Sequence, residues 1–129
     1  MSQKWHVLYY ETAAGKCQIQ NFIDSRRERE QAKIFSWVSL LEQHGPTLPR
    51  PYADLLTEGI HELRITLSGE HLRILYFFCF KDIIVLTHAF IKHTSEVPHS
   101  EIKKAKAYRD DFLSRYDEKK LKEVINEKF

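Results

Sequence analysis

At 129 residues the chain can bury one hydrophobic core and is too short for two comfortable domains. Its apolar fraction of 43% beside a charged fraction of 29% describes an ordinary globular protein and excludes a low-complexity chain. A net charge of +2 and a pI near 8.5 are too mild to establish a polyanionic partner, so any such partner must be argued from where the cations sit.

The opening Met1-Ser2-Gln3-Lys4-Trp5-His6 has no apolar leader region, and no apolar run approaches the ~20 residues of a membrane span. A cytoplasmic protein is expected. Trp5 to Tyr10 is β-rich and predicts an opening strand. After the break at Gly15, Ile19, Phe22 and Ile23 recur at helical spacing and predict a short helix over Cys17 to Ser25. The mixed charges of Arg26 to Glu30 read as a hinge or first turn with a solvated face. Ile34, Trp37, Val38 and Leu41 then mark an amphipathic helix, which should stop at His44-Gly45-Pro46. Pro46 to Pro51 holds three prolines and reads as a stiff loop. Cys17 and Cys79 share no metal-ligand or redox spacing and are expected as buried free thiols in a reducing compartment.

Three strands follow. Leu63, Ile65 and Leu67 alternate with Glu62, Arg64 and Thr66, Ser68-Gly69-Glu70 reads as a hairpin turn, and Lys81-Asp82 as a second turn. Parity puts Leu72, Ile74, Tyr76 and Phe78 on one face of the middle strand, with His71 and Arg73 on the other. In the next strand Val85, Ala89 and Ile91 should oppose His88 and Lys92. A simple register brings Arg64, Arg73, His88 and Lys92 to one face, shared with Leu75, Phe77, Leu86 and Phe90 and partly covered by a helix; a bulge would shift it by one residue. Each of these strands carries a cation although buried unpaired charge is costly, which points to an anionic partner, most simply a phosphate backbone. Pro98 opens a third helix with the stripe Ile102, Ala105, Tyr108, Phe112 and Tyr116, and Leu121, Val124, Ile125 and Phe129 predict a fourth.

Three ordered motifs carry a resemblance. They are Leu56-Thr57-Glu58-Gly59-Ile60-His61-Glu62-Leu63-Arg64, Arg73-Ile74-Leu75-Tyr76-Phe77-Phe78, and Phe90-Ile91-Lys92-His93-Thr94 leading to Pro98, with Glu101-Ile102 and Ala105 following. With the order β-α-α-β-β-β-α(-α), they resemble the RelE superfamily of toxins from toxin–antitoxin pairs, and more closely its HigB-type, phage-derived branch. The resemblance extends to about Arg115. It implies a single α+β domain over 1–129, a small, mainly antiparallel twisted sheet packed on helices, with 117–129 a C-terminal helical extension. The chain departs from the pattern at His93, where the family usually has a second lysine, and at Ser95-Glu96-Val97.

What the resemblance implies is an endoribonuclease that cuts mRNA on the ribosome without metal or cofactor. Its catalytic groups would be Arg64, Arg73, Lys92 and His93, with His71, His88 and Tyr76 contacting RNA. Guanidinium groups suit phosphate because they stay charged and bind two oxygens at once. Lys92 would serve as a point charge or acid, and His93, or failing that His88, would transfer protons. The implied partner is a helix-turn-helix antitoxin of HigA type. Structural readings stand beside these: Arg64 pairing with Glu62 or Glu58, Lys92 guarding a strand end, His61, His71 and His88 structural or merely exposed, Tyr76 packing in the core. Two rival functions share the scaffold, a ParE-like gyrase inhibitor and a non-catalytic binding regulator. The residues themselves present no metal site, phosphate loop or nucleophile elbow.

Overall fold

The computed structural model describes residues 4–128. Phe129, expected on the last helix, and Met1 to Gln3 lie outside them. The elements run β1 (His6–Tyr9), α1 (Gln18–Asp24), α2 (Glu28–His44), β2 (Ala53–Thr57), β3 (Ile60–Leu67), β4 (Glu70–Cys79), β5 (Ile83–Lys92), α3 (His99–Arg115) and α4 (Glu118–Lys128). A 3-10 turn over Gly45–Thr47 follows α2. The fold is a single α+β domain around a mixed five-stranded sheet of order β1-β5-β4-β3-β2, in which only β1–β5 is parallel.

Alternation along the strands feeds two cores. Leu63, Ile65, Leu72, Ile74, Tyr76 and Ala89 meet Ile19, Ile34, Val38 and Leu41 of α1 and α2. Leu75, Phe77, Ile83 and Val85 meet Ala105, Phe112, Leu121 and Ile125 of α3 and α4. Helix α2 stops where the sequence says it should. Gly45 sits at φ +52° and its amide bonds back to the Leu41 carbonyl, while a Cβ there would collide with the Trp5 indole.

Three expectations are corrected. The strand β2 was not expected; its Ala-Asp-Leu-Leu-Thr has little β-propensity and is held by β3 alone. The run Arg26 to Glu30 is not wholly solvated, because Glu30 is buried and takes hydrogen bonds from Arg26 and Ser68. In β5, Leu75 faces His88 while Tyr76 faces Leu86, so Thr87 is an extra, bulged residue. The bulge moves Val85 to the α3 side and Leu86 to the α2 side, reversing the parity expected for both. The Thr87 hydroxyl satisfies itself on the Leu75 carbonyl at 3.1 Å.

Candidate nucleic-acid interface

Beyond the bulge, β3, β4 and β5 present three rungs on the face toward α3. Glu62, Leu75 and His88 form the first, Arg64, Arg73 and Phe90 the second, and Thr66, His71 and Lys92 the third. Arg64 and Arg73 stand directly opposite one another, a placement that repels unless a counter-charge intervenes. Glu62 provides it, with Oε1 3.0 Å from Arg73 Nε and 3.5 Å from Arg64 Nε. Glu70, the acid of Arg73's own strand, pairs with Arg26, so the counter-charge for Arg73 comes from the neighbouring strand. The Arg73 side chain is 5% exposed and that of Arg64 is 38% exposed. Burial lowers the Arg73 pKa, and the Glu62 charge opposes the shift; a guanidinium stays protonated through such a change. Its Nη1 donates to the Leu72 carbonyl at 3.1 Å.

The second and third rungs open into a cleft of about 300 Å³ at the free edge of β3, lined by Lys33, Trp37, Pro51, Tyr52, Arg64, Thr66, His71 and Arg73. Among the described residues no carboxylate lines it. The cleft exists because β2 pairs with β3 only up to Leu63, after which the Arg64 amide reaches the Tyr52 carbonyl at 2.8 Å. Beyond that point Lys33 of α2 donates to the Thr66 carbonyl, a lysine guarding an open edge. Trp37 leans on Tyr52 with ring centres 5.8 Å apart, and Lys33 Nζ lies 5.4 Å from the Trp37 ring centre. A larger cavity of about 460 Å³ lies by β1 and α4, lined by Val7, Val38, Phe112, Leu121, Val124 and others with Glu11 and Glu42. Its described lining holds no cation, and a second cavity of about 460 Å³ gathers Arg27, Arg29 and Lys33 around Glu30, so what selects the cleft at β3 is cations with an aromatic and no carboxylate in the lining, not volume.

The expected site residues divide. Arg64, Arg73 and His71 meet in the cleft, and Lys92 is the cross-strand neighbour of His71. The Lys92 ammonium donates to the carbonyls of Thr94 and Ser95 at 3.1 and 3.0 Å, which holds it at the end of β5. His93 follows, exposed, just past that strand.

His88 and Tyr76 do not join them. His88 is on the same face but 1% exposed beneath α3, against Phe90 and Tyr108. Its Nδ1 lies 3.0 Å from the Thr87 hydroxyl, and Nε2 lies 3.4 Å from Glu101 Oε1 without a hydrogen bond. Burial, and secondarily the Lys104 charge, lower its pKa to about 4, so at neutral pH it is an uncharged core residue and the Glu101 contact is no ion pair. Tyr76 is 2% exposed on the opposite face, stacked on His61, and burial raises its hydroxyl pKa. Neither can touch RNA at the cleft.

Sequence reasoning missed Lys33, Trp37 and Tyr52, and saw Glu62 only as a partner of Arg64. Lys33 and Trp37 lie four apart on one helix face, and Tyr52 follows a proline that stiffens its approach; those were the available signals. Both cysteines are free thiols, and burial pushes Cys79 up to about 12, far from nucleophilic. Among the described residues no three His, Cys, Asp or Glu side chains converge as a metal site would require, and no helix is long and apolar enough to cross a membrane.

No curated protein matches the chain. A family model does, that of "Phage derived protein Gp49-like (DUF891)", over residues 21–110. The match runs from α1 into α3 and takes in every strand that builds the cationic rungs, leaving β1 and α4 outside. With sheet, cleft and match in agreement, the chain belongs to the Gp49-like family of phage-derived, toxin-like proteins related to RelE.

Proposed function

We propose that the protein is the toxin of a toxin–antitoxin pair of HigB type, a ribosome-dependent, metal-independent mRNA endoribonuclease that inhibits translation. Its antitoxin would be a helix-turn-helix protein of HigA type. The observation that carries this reading is the cleft that gathers Lys33, Arg64, His71 and Arg73, with one buried acid, Glu62, behind the two arginines and Lys92 on the adjoining strand. Membership of a toxin-like family points the same way.

Cleavage of RNA without metal has three requirements. The 2′-hydroxyl loses its proton as its oxygen bonds to phosphorus, the P–O5′ bond breaks, and O5′ takes up a proton. The products are a 2′,3′-cyclic phosphate and a 5′-hydroxyl. Charge accumulates on the non-bridging oxygens in between, and fixed cations stabilise it best when they need no reorganisation. Arg73, held by Glu62, and the more exposed Arg64 fill that role in this reading. Lys92 adds a point charge or donates the leaving-group proton, and His93 supplies an imidazole, the side-chain type that exchanges protons near neutral pH. His71 contacts the flanking phosphate.

The test is to map message ends in a cell-free translation reaction containing wild type, Arg64→Ala or Lys92→Ala. Breaks inside translated codons should appear with wild type and fall by about 10²–10⁴-fold where the lost group transfers a proton. Blocked translation with intact messages favours the binding regulator. Intact messages with normal translation sink the ribonuclease, and a gyrase supercoiling assay then decides on the ParE-like rival.

A further inference from the structure

We propose that Tyr52 is a base-stacking platform and that the cleft takes single-stranded RNA, one unpaired base lying on the Tyr52 ring while a flanking phosphate meets Arg64 and Lys33. This rests on the reading of the cleft as an mRNA site and goes beyond it by naming the residue on which a base stacks. Tyr52 is 37% exposed and lines the cleft, which the other exposed rings among the described residues, Phe35 and Phe80, do not. Its backbone is fixed from both sides, the amide donating to the Pro49 carbonyl at 3.0 Å and the carbonyl accepting from the Arg64 amide at 2.8 Å. Trp37 backs the ring, and Lys33 sits over Trp37. An ordered aromatic with a free surface loses little side-chain entropy on stacking, and every base has a face to offer it. The amide of Arg64 ties that aromatic directly to the residue whose guanidinium lines the same cleft.

A duplex keeps its bases stacked on one another and could offer this cleft phosphates alone. An acidic peptide would use the cations and gain nothing from an aromatic π-face. The combination of cations, an exposed aromatic and no carboxylate in the described lining is the one that single-stranded nucleic acid uses fully. Tyr76, the aromatic suggested by sequence for this role, is buried on the other face; Tyr52 takes its place.

The experiment uses the full chain and a short oligouridylate carrying one 2-aminopurine, whose fluorescence falls on stacking. Wild type should quench the probe, Tyr52→Phe should keep the quenching, and Tyr52→Ala should lose it while binding about 5- to 150-fold more weakly. Tyr52→Leu retains an apolar contact to Trp37 without a π-face and should lose quenching with its melting curve unchanged. The same probe annealed into a duplex should bind weakly and stay bright. Unquenched probe with wild type, quenching that persists in Tyr52→Leu, or polyglutamate binding as tightly as the oligonucleotide with no dependence on Tyr52 would each overturn the proposal. Cleavage is scored separately in the translation assay. Quenching without cleavage leaves the platform standing and removes the ribonuclease; cleavage indifferent to Tyr52, with no quenching, does the reverse.

Discussion

Arg73 and Glu62 form a charge pair that neither can leave cheaply. Removing one partner of a buried pair strands the other charge in a medium that solvates it poorly. Arg73→Ala should therefore cost about 3–5 kcal/mol in urea unfolding, whereas Arg64→Ala, at a half-exposed site, should cost under about 1 kcal/mol. Equal losses for the two would mean that Glu62 does not depend chiefly on Arg73. The contrast also makes Arg64→Ala the cleaner probe of activity. His88 gives a second prediction. Its facing groups are Thr87 on its own strand and Glu101, Lys104 and Tyr108 on α3. With a folded pKa near 4 against an unfolded value of about 6.5, the unfolded chain binds the extra proton between those values. Stability is then complete above pH ~6.5 and is lost as pH falls toward ~4, by at most about 3 kcal/mol. Thermal melts across that window should slope for wild type and flatten for His88→Gln. The positions of Arg64, Arg73 and Lys92 on one face were legible because strand alternation is local. The burial of His88 was not, because it depends on where α3 lies, and the cross-strand Glu62 contact depends on register.

Among the elements, β5 depends on its bulge. Thr87 lets the first half of β5 fill the α3 core with Ile83 and Val85 while the second half still turns Lys92 toward the cationic rungs. Deleting Thr87 would rotate His88, Phe90 and Lys92 toward α1 and α2, and Ala89 and Ile91 the opposite way. That variant should lose its near-ultraviolet circular dichroism and its single melting transition. A bulge of this kind left no mark in the sequence, since Leu86, Thr87 and His88 fit either register. The helices were legible from their apolar stripes, and α2 from its Gly-Pro stop as well. Strand β2 was hidden by its weak propensity, because an edge strand can be recruited by its neighbour's hydrogen bonds. Helix α4 lies beyond the family match yet buries Leu121 and Ile125 against the sheet. Ending the chain at Tyr116 should cost about 3–6 kcal/mol, the value of burying two large aliphatic side chains. An unchanged melting temperature would show the helix to be dispensable.

For the whole molecule, a net charge of +2 hides a sharply uneven distribution. Acids pair the cations one to one over much of the surface, as in Arg26–Glu70, Arg50–Asp54, Lys106–Glu58 and Arg115–Asp111, while at the cleft the single buried acid Glu62 serves both Arg64 and Arg73, and the described lining, which includes Lys33, adds no carboxylate. Three neutralised phosphates on a single strand give a log–log salt dependence of slope about −2. Oligonucleotide binding measured over a range of potassium concentrations should show that slope, and Arg64→Ala should reduce it by roughly 0.7. A slope near zero would assign the affinity to stacking alone.

The parallel pairing of β1 with β5 also sets an order of events during synthesis. Among the described strands β1 is made before the others and pairs only with β5, which is made after them, with three strands and two helices in between. Hairpins β3–β4 and β4–β5 close over short loops, but β1 must wait, unpaired, until Ile83 to Leu86 have emerged. The strand that finally receives it is the one that ends in Lys92. A nascent chain thus completes its sheet and its cationic rungs within a few residues of each other, and no shorter intermediate presents the face in finished form.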